Sequence, residues 1–437
     1  MEKFDLFEDT ISRLTAPSKL VSIDPEALEK LKHPKSILQV SIPVRMDDGS
    51  LEIFTGYRVK HDDTKGPTKG GIRFHPTLDI SEIKMLAFLM TFKSALIGLP
   101  FGGSKGGVIV DPKTLSPLEL ERLSRGYINQ ISNFIGPNID IPAPDINTNA
   151  MIMGWMMDEY SSIVRQHTPA VITGKPIPLG GSQGRVEATG LGAYFCIKEF
   201  ERLSELTQSQ KNENIRVAIQ GFGNVGENIA RFLHEDGYKI VALSDMDGGI
   251  FNQDGLDITD LIAKRSDLQK NKKDCYNVAI DSLIKGDSIK NEQLLTLDID
   301  ILILAACEKQ ITKDNANNIR APFIVEIANG PITSEADVIL NAAGKTIMPD
   351  ILINSGGVIV SYFEWVQNRE GYYWSKDKVD TELKELILNA FNQVFNFMKD
   401  HKVDMRTAAY ACALNQFGEA VVALGTRQYF QGGVIKK

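Results

Sequence analysis

The chain has 437 residues, of which 43% are hydrophobic and 24% charged, and its formal net charge is −8. This length exceeds what one hydrophobic core usually serves, so two domains are expected. The acidic balance argues against a nucleic-acid partner, because neutralising phosphates requires a basic surface. No apolar run is long enough to cross a membrane, and the acidic start Met1–Asp5 is unlike a secretory signal.

The cysteines are scattered along the chain without metal-binding or redox spacing. We therefore expect no metal site, and reduced thiols in a cytoplasmic protein. They are Cys196, Cys275, Cys307 and Cys412.

The first part of the chain predicts a hairpin followed by a buried helix. Two alternating stretches, Ser36–Met46 and Leu51–Val59, flank an Asp-Gly turn sequence, which is typical of a β-hairpin. A helix is expected from Ser81 to Ile97, with Ser81 as its cap. Its second half is almost wholly apolar yet contains Lys93, and a charge is unfavourable to bury unless a partner meets it.

The second part alternates strand and helix signals. The segment Thr173–Gly192, rich in Gly, Pro and Ser, predicts the passage between domains. Alternation beyond it favours a parallel, doubly wound sheet, followed by two helices, Thr381–Asp400 and Met405–Leu424, that pack back on the first domain. The predicted strands are Ile215–Gln220, Lys239–Ser244, Ile299–Leu304, Phe323–Ile327 and Thr346–Met348, with a helix over Asn224–Asp236.

A glycine-rich motif lies between the first of these strands and the helix after it. Its residues are Gly221, Phe222, Gly223, Asn224, Val225 and Gly226, a GxGxxG sequence. In this context the motif predicts a dinucleotide site, with the pyrophosphate at the helix N-terminus. Asp245 follows the next strand, where a carboxylate would accept hydrogen bonds from the adenosine ribose hydroxyls of a dinucleotide and would repel the 2′-phosphate of NADP. NAD is therefore favoured, NADP remains possible, and the alternative for Asp245 is a turn residue.

Three lysines have unusual surroundings. Glycines flank Lys69 and Lys105, and Lys93 lies in the apolar helix. A dicarboxylate substrate would give all three a partner, while mutual repulsion and burial would lower their pKa values. The alternatives are solvated loop lysines for Lys69 and Lys105 and a snorkelling side chain for Lys93. Asp145, in a proline-stiffened loop, is a candidate proton carrier or else a turn residue.

These segments together resemble the Glu/Leu/Phe/Val amino-acid dehydrogenase family, and within it the hexameric glutamate dehydrogenases. The resemblance extends from about Ser36 to Leu424 and includes many motifs in one order. They are Tyr57–Val59, Gly66–Phe74, Gly102–Gly107, Pro142–Asn149, Met153–Tyr160, Gly180–Gly192, Ala328–Pro331 and Asn354–Glu364.

The resemblance implies a role for each site residue. Lys105 would assist the attack of water on an iminium intermediate, and Asp145 would carry protons to and from the nitrogen. Lys93 would bind the substrate α-carboxylate, with Met90 lining the site. Lys69 and Ser361 would hold the γ-carboxylate, whereas Thr189, Asn329 and Asn354 would lie near the nicotinamide end of NAD.

It also implies the architecture and the reaction. An α/β substrate-binding domain would span residues 1–180, with the C-terminal helices of 365–437 packing back on it, and a Rossmann-like NAD-binding domain would span 185–360. A cleft between them would close around the reactants. The expected protein is a homohexamer that interconverts L-glutamate with 2-oxoglutarate and ammonia.

Two other functions are weighed against this one. A sister enzyme for leucine, valine or phenylalanine would need an apolar group where Lys69 and Ser361 stand. A catalytically silent protein that binds 2-oxoglutarate or NAD would not need Lys105 and Asp145 together.

Overall fold

A computed structural model describes residues 5–204, 212–270 and 280–431. Contacts divide the chain into two compact units. The first comprises Met1–Arg185, Val358–Thr381 and Tyr410–Lys437, and the second comprises Val186–Gly357 and Glu382–Ala409. Within the described residues, none of the helices is long and apolar enough to cross a membrane.

The first unit is built on a mixed sheet. Its described strands are β1 (Ser36–Arg45), β2 (Leu51–Asp62), β3 (Thr68–Phe74), β4 (Gly102–Val108) and β5 (Asp140–Pro144). They run in the order β1-β2-β4-β3-β5 across the sheet. The predicted hairpin is present, with Arg45 opposite Leu51 beside its turn. Strands β3 and β4 are parallel to each other, as are β3 and β5.

Helices cover both faces of this sheet. The described helices whose residues lie wholly in this unit are α1 (Leu6–Ser12), α2 (Pro25–Leu31), α3 (Ile80–Leu96), α4 (Pro117–Ile131) and α5 (Ala150–Val164), with α15 (Arg427–Phe430) near the end. Helices α4 and α5 pack with the sheet around a core that includes Ile72, Val108 and Tyr127, and α3 covers the opposite face.

Helix α3 begins one residue earlier than expected, and its cap differs. Asp79, not Ser81, caps the helix, because the Asp79 carboxylate accepts the backbone N–H of Glu82 at 2.9 Å. The Ser81 hydroxyl instead donates to Asp5. The second half of α3 is buried as predicted, including Lys93.

The second unit holds the sheet predicted to be doubly wound. Its described strands are β6 (Arg216–Gln220), β7 (Lys239–Ser244), β8 (Gly249–Phe251), β9 (Asp287–Ile289), β10 (Ile301–Leu304), β11 (Phe323–Glu326) and β12 (Thr346–Met348). They run in the order β12-β11-β10-β6-β7-β8-β9 across the sheet. The five predicted strands are present and parallel, but β8 and β9 add an antiparallel edge that the sequence reasoning missed.

The remaining described helices follow one another along the chain from α6 to α14. They are α6 (Ala188–Leu203), α7 (Asn224–Glu235), α8 (Ile258–Lys270), α9 (Asn291–Leu295), α10 (Ser334–Ala342), α11 (Asp350–Ile353), α12 (Gly356–Glu370), α13 (Lys376–His401) and α14 (Met405–Ala423). The boundaries between the two units fall inside the last three of these helices, α12 to α14.

We expected residues 365–437 to pack on the first unit. Contacts group Glu382–Ala409, within that range, with the second unit. The rings of Phe200 on α6 and Phe395 on α13 lie 6.1 Å apart, edge to face. The Arg406 guanidinium binds the Glu326 carboxylate at 2.8 Å. Apolar burial and a buried ion pair therefore tie this segment to the sheet of the second unit.

Candidate active site

Lys69 and Lys105 lie on central strands, not in solvated loops, which was the alternative considered for each of them. Both β3 and β4 are buried along their whole length. Because side chains alternate across a strand, Lys69, Gly71 and Arg73 share the face that α3 covers, while Ile72 faces the core on the other side. The two lysines are therefore buried rather than solvated, with exposures of 1% for Lys69 and 5% for Lys105.

The glycines beside the lysines have a steric reason. A Cβ on Gly103 would lie 2.2 Å from the backbone nitrogen of Thr91, so α3 approaches β4 too closely for any side chain. A Cβ on Gly71 would lie 2.8 Å from the Cβ of Asp145 and 3.4 Å from Lys105 Nζ. Glycine at these positions leaves the space in which the lysine and the carboxylate meet.

Asp145 follows β5 and is the centre of a charge cluster. Its Oδ2 lies 2.6 Å from Lys105 Nζ and 3.1 Å from Arg73 Nε. Burial would raise the pKa of Asp145, but the charges of Lys105 and Arg73 outweigh that effect and bring the pKa to about 2. Burial lowers the pKa of Lys105, although the Asp145 charge opposes the change. The candidate acid and base are thus in direct contact, and Arg73 is a member that sequence reasoning missed.

Lys69 lies in a second group of polar side chains. Its Nζ donates to the Thr173 hydroxyl at 2.6 Å. Burial lowers the pKa of Lys69 to about 7, and the positive charge of Arg185 acts in the same direction. Arg185 Nε donates to the Ser361 hydroxyl at 2.8 Å, so Arg185 links Ser361 to the group around Lys69. Arg185 was missed, although it lies in the Gly180–Gly192 motif.

These cations lack an acidic partner of their own. Among the described residues, no carboxylate forms an ion pair with Lys69 or Arg185. The nearby Glu364 carboxylate is already bound to Lys175 at 2.7 Å, and both of those side chains are fully buried. Buried Lys69 and half-buried Arg185, beside the Ser361 hydroxyl, form a site for an anionic group.

Lys93 and Met90 lie on α3, one helical turn apart. Lys93 is 5% exposed and Met90 is half-buried. Both belong to the second half of the helix that covers the face carrying Lys69 and Lys105. Lys93 and Met90 therefore lie on the helix that packs against the strands carrying Lys69 and Lys105.

The glycine-rich motif adopts the geometry expected of a dinucleotide site. It connects β6 to α7, and Gly221 has a φ of +91°, which is the left-handed region that favours glycine. A Cβ on Gly226 would lie 1.8 Å from the Gly221 carbonyl oxygen, whereas one on Gly223 would meet nothing within 4 Å. The turn is thus tight beneath Gly226 and open beside Gly223, where a pyrophosphate would approach the start of α7.

Thr189 lies at the start of α6, beside this turn. Helices α6 and α7 pack closely, since a Cβ on Gly190 would lie 2.9 Å from the Cβ of Asn228. The side-chain amide of Asn224 donates to the Val186 carbonyl at 2.9 Å. The N-terminal ends of the two helices are therefore neighbours.

Asp245 lies at the carboxyl end of β7. Its Oδ1 accepts a hydrogen bond from the backbone N–H of Asp247 at 3.0 Å. This oxygen therefore stabilises a turn, as the alternative interpretation of Asp245 expects. Its Oδ2 is buried and accepts no hydrogen bond from the described residues. That second oxygen can accept a hydrogen bond from a ribose hydroxyl.

Asn329 and Asn354 are in contact. Asn354 Nδ2 donates to Asn329 Oδ1 at 2.9 Å and to the Ile327 carbonyl at 3.0 Å. The Asn354 Oδ1 atom is buried without a hydrogen-bond partner in the described part of the chain. Two orphaned acceptor oxygens, an open glycine turn and a helix N-terminus all fit a bound NAD or NADP.

The sequence matches the models of a known family along most of its length. Residues 180–425 match the Glutamate/Leucine/Phenylalanine/Valine dehydrogenase model, and residues 34–162 match the dimerisation domain of the same family. The chain therefore belongs to the Glu/Leu/Phe/Val dehydrogenase family of NAD(P)-dependent amino-acid dehydrogenases. Within that family, its nearly full-length relatives at 45–54% identity are named glutamate dehydrogenases.

Individual relatives differ in coenzyme. The chain is 54% identical to an NADP-specific glutamate dehydrogenase of Synechocystis, covering 98% of this chain and 99% of the relative. It is 47% identical to a catabolic NAD-specific glutamate dehydrogenase of Bacillus subtilis, covering 96% of each chain. The expectation of NAD with NADP possible agrees with these relatives.

Solved structures share the fold. A hetero-hexameric glutamate dehydrogenase of Thermus thermophilus matches with a TM-score of 0.89 and 35% identity, covering 98% of this chain and 99% of that one. The Peptoniphilus asaccharolyticus enzyme matches with a TM-score of 0.80 and 37% identity, covering 97% and 100%. The predicted α/β class with a Rossmann-like unit is confirmed.

Proposed function

We propose that this protein is a glutamate dehydrogenase that converts L-glutamate reversibly to 2-oxoglutarate and ammonia with hydride transfer to NAD or NADP. The observation that carries the proposal is the pair of cations Lys69 and Arg185, which have no ion-pair partner among the described residues and lie beside Ser361. The γ-carboxylate of glutamate supplies the missing negative charge. Relatives named glutamate dehydrogenases support this assignment.

The other end of the substrate meets α3. Lys93 binds the α-carboxylate, and Met90 lines the same site one turn earlier. With carboxylates held at both ends, the Cα and its nitrogen are placed between the two anchors. Such positioning can contribute several kcal/mol to catalysis, because it removes the entropy of orienting the reactants.

Lys105 and Asp145 move the protons. The lowered pKa of buried Lys105 makes a neutral amine accessible, which takes a proton from the water that attacks the iminium carbon. Ionised Asp145 accepts a proton from the substrate nitrogen and returns it when ammonia leaves. When Lys105 is neutral, Asp145 loses its nearest positive charge, so its basicity rises at the step that needs it.

The second unit provides the coenzyme site. Bound NAD or NADP would accept the hydride from the substrate Cα. Gly221, Gly223 and Gly226 shape the turn for the pyrophosphate, together with Asn224 and Val225 at the start of α7. Asp245 accepts the ribose hydroxyls, and Thr189, Asn329 and Asn354 serve the nicotinamide end.

Charge decides between glutamate and an apolar amino acid. Leucine would leave buried Lys69 without its counter-charge, which is unfavourable by several kcal/mol. A size mismatch of one methylene contributes only roughly 1–3 kcal/mol. We therefore expect rejection of leucine by on the order of a thousandfold or more.

The test follows reduced nicotinamide by absorbance when glutamate and NAD, or glutamate and NADP, are added to pure protein. Lys69→Leu should remove most glutamate activity, and Lys69→Leu with Ser361→Val should gain activity on norvaline. Lys113→Leu, an exposed lysine of the same unit, is the matched control and should behave as wild type. Glutamate kcat/KM within about tenfold of wild type for Lys69→Leu, a gap of roughly 1.4 kcal/mol, would contradict the assignment.

Lys105→Ala tests the chemistry separately. Turnover should fall by several orders of magnitude while the fold and coenzyme binding persist, because the amine enters only the proton-transfer steps. Near-normal turnover would remove Lys105 from the mechanism.

Assembly and location are also part of the proposal. A homohexamer of 48.4 kDa chains would have a mass of about 290 kDa, which light scattering would measure. The cysteines in the described residues form no disulfide bonds, which supports a cytoplasmic location, and Cys275 lies outside those residues.

A further inference from the structure

A buried arginine lies behind the coenzyme-discriminating carboxylate. Arg265 is on α8 and is only 2% exposed. Its Nη2 lies 3.8 Å from Asp245 Oδ2, the oxygen that accepts no hydrogen bond from the described residues. The carboxylate expected to repel a 2′-phosphate is therefore paired with a positive charge.

The same arginine is fixed to the glycine-rich turn. Its Nη1 donates to the carbonyl oxygen of Phe222, the second residue of the motif. The guanidinium carbon lies 4.6 Å from the centre of the buried Phe222 ring, and Nη1 lies 3.9 Å from a carboxylate oxygen of Glu227 on α7. Arg265 is thus held by the turn, and its charge stays close to Asp245.

We propose that Arg265 sets the coenzyme preference by offsetting the charge of Asp245 at the adenosine ribose. The proposal rests on the proposed function, because it concerns the coenzyme of that reaction. Asp245 alone would repel a 2′-phosphate, whereas Arg265 beside Asp245 offsets part of that negative charge. The wild type then tolerates NADP better than a lone carboxylate would allow.

Removing the charge of Arg265 and removing the charge of Asp245 should shift the relative affinity for NADPH and NADH in opposite directions. Arg265→Met leaves Asp245 uncompensated, so the ratio of the dissociation constants, NADPH over NADH, should rise about tenfold. Asp245→Ser removes a negative charge beside Arg265, so the same ratio should fall by a similar factor. The double variant should lie between the two single variants, near wild type.

The measurement is the dissociation constant of NADH and of NADPH, from nucleotide fluorescence without glutamate. Arg265→Lys keeps the charge but loses the planar fork, so its ratio should stay near wild type. Lys264→Met, the neighbouring position on α8 whose side chain is 47% exposed, is the matched control and should not move the ratio. If Arg265→Met does not fold, Arg265→Gln compared with Arg265→Lys makes the same comparison.

The outcomes separate the two proposals. An arginine that only supports the turn would weaken both nucleotides equally when replaced, and that unchanged ratio would overturn the inference. A ratio that falls in Arg265→Met would overturn it as well. Wild-type protein that binds both nucleotides but shows no glutamate-dependent reduction would instead contradict the proposed function.

Discussion

Arg73 connects Asp145 to helix α3. It contacts Asp145 through Nε and Glu82, in the first turn of α3, through Nη1. Asp145 thereby has cations on two sides, Lys105 as a proton-transfer partner and Arg73 as a support. We infer that Arg73 positions the Asp145 carboxylate rather than touching the substrate.

Replacing Arg73 should change the pH dependence of the reaction. Arg73→Gln removes a charge that lowers the pKa of Asp145, so the acid limb of the kcat profile should move to higher pH. Turnover should fall on the order of tenfold, less than the roughly 10²–10⁴-fold typical of losing a general acid or base. Arg122→Gln, at an exposed arginine paired with Asp47, is the control. An acid limb unchanged from wild type would refute the positioning role.

Lys69 should make dicarboxylate binding depend on pH. Since burial lowers its pKa to about 7, the free protein loses this charge as the pH rises through 7, and binding must then take up a proton. The inhibition constant of glutarate should therefore be lowest below pH 7 and increase above it. Lys69→Arg keeps its charge and should flatten the curve. A wild-type curve that is flat through pH 7 would show that Lys69 does not titrate there.

At the scale of elements, the close approach of α3 to β4 builds the substrate side. Strand β4 places Gly103 and Lys105 on one face and Ser104 and Gly106 on the other. Because Gly103 has no side chain, helix α3 can lie directly against strand β4. Lys105, two positions later on the same face, contacts Asp145. The position of Lys93 relative to the sheet is set by this packing.

Gly103→Ala should displace α3. Its Cβ would meet backbone atoms of the helix, which cannot yield as a flexible side chain can. Overpacking of this kind destabilises by about 1–3 kcal/mol, and KM for glutamate should rise because Lys93 moves with the helix. Gly418→Ala on α14 meets only the Ile23 side chain at 3.2 Å and is the control. Equal stability of the two variants in urea unfolding would contradict this account.

At the scale of the whole molecule, the chain contributes its C-terminal part to both units. Val358–Thr381 and Tyr410–Lys437 belong to the first unit, while Glu382–Ala409 belongs to the second. Near the end of that second-unit segment, Arg406 binds Glu326 at the end of β11 and Asp337 on α10 at 3.0 Å. This buried ion pair network anchors the start of α14.

Removing the Glu326 carboxylate from the ion pair network around Arg406 should destabilise the protein more than replacing it with a neutral hydrogen-bonding group. Glu326→Leu removes one acid from buried Arg406 and should lower the free energy of unfolding by roughly 3 kcal/mol. Glu326→Gln keeps a hydrogen-bond acceptor and should lower it by less. Thermal unfolding of both variants would measure the difference. If the leucine variant unfolds at the wild-type temperature, the network does not anchor the helix.

Local sequence patterns were enough to predict several features of the fold. The dinucleotide turn, the hairpin and the five parallel strands were predicted because each depends on neighbouring residues and on local periodicity. The site residues also followed from motifs, through the family resemblance. Their contacts did not: Lys105 with Asp145 and Arg185 with Ser361 join residues 40 and 176 positions apart.

The sequence by itself determined the fold class, the coenzyme motif and the identity of the lysines, since these reside in local order and composition. Only the tertiary structure showed that the glycine-flanked lysines lie on buried strands, because a lysine between glycines has weak strand propensity and burial overrides it. Only the structure added Arg73, Arg185 and Arg265, whose partners are distant in sequence. The sheet and its covering helices bring such charges together, and no spacing along the chain encodes that contact.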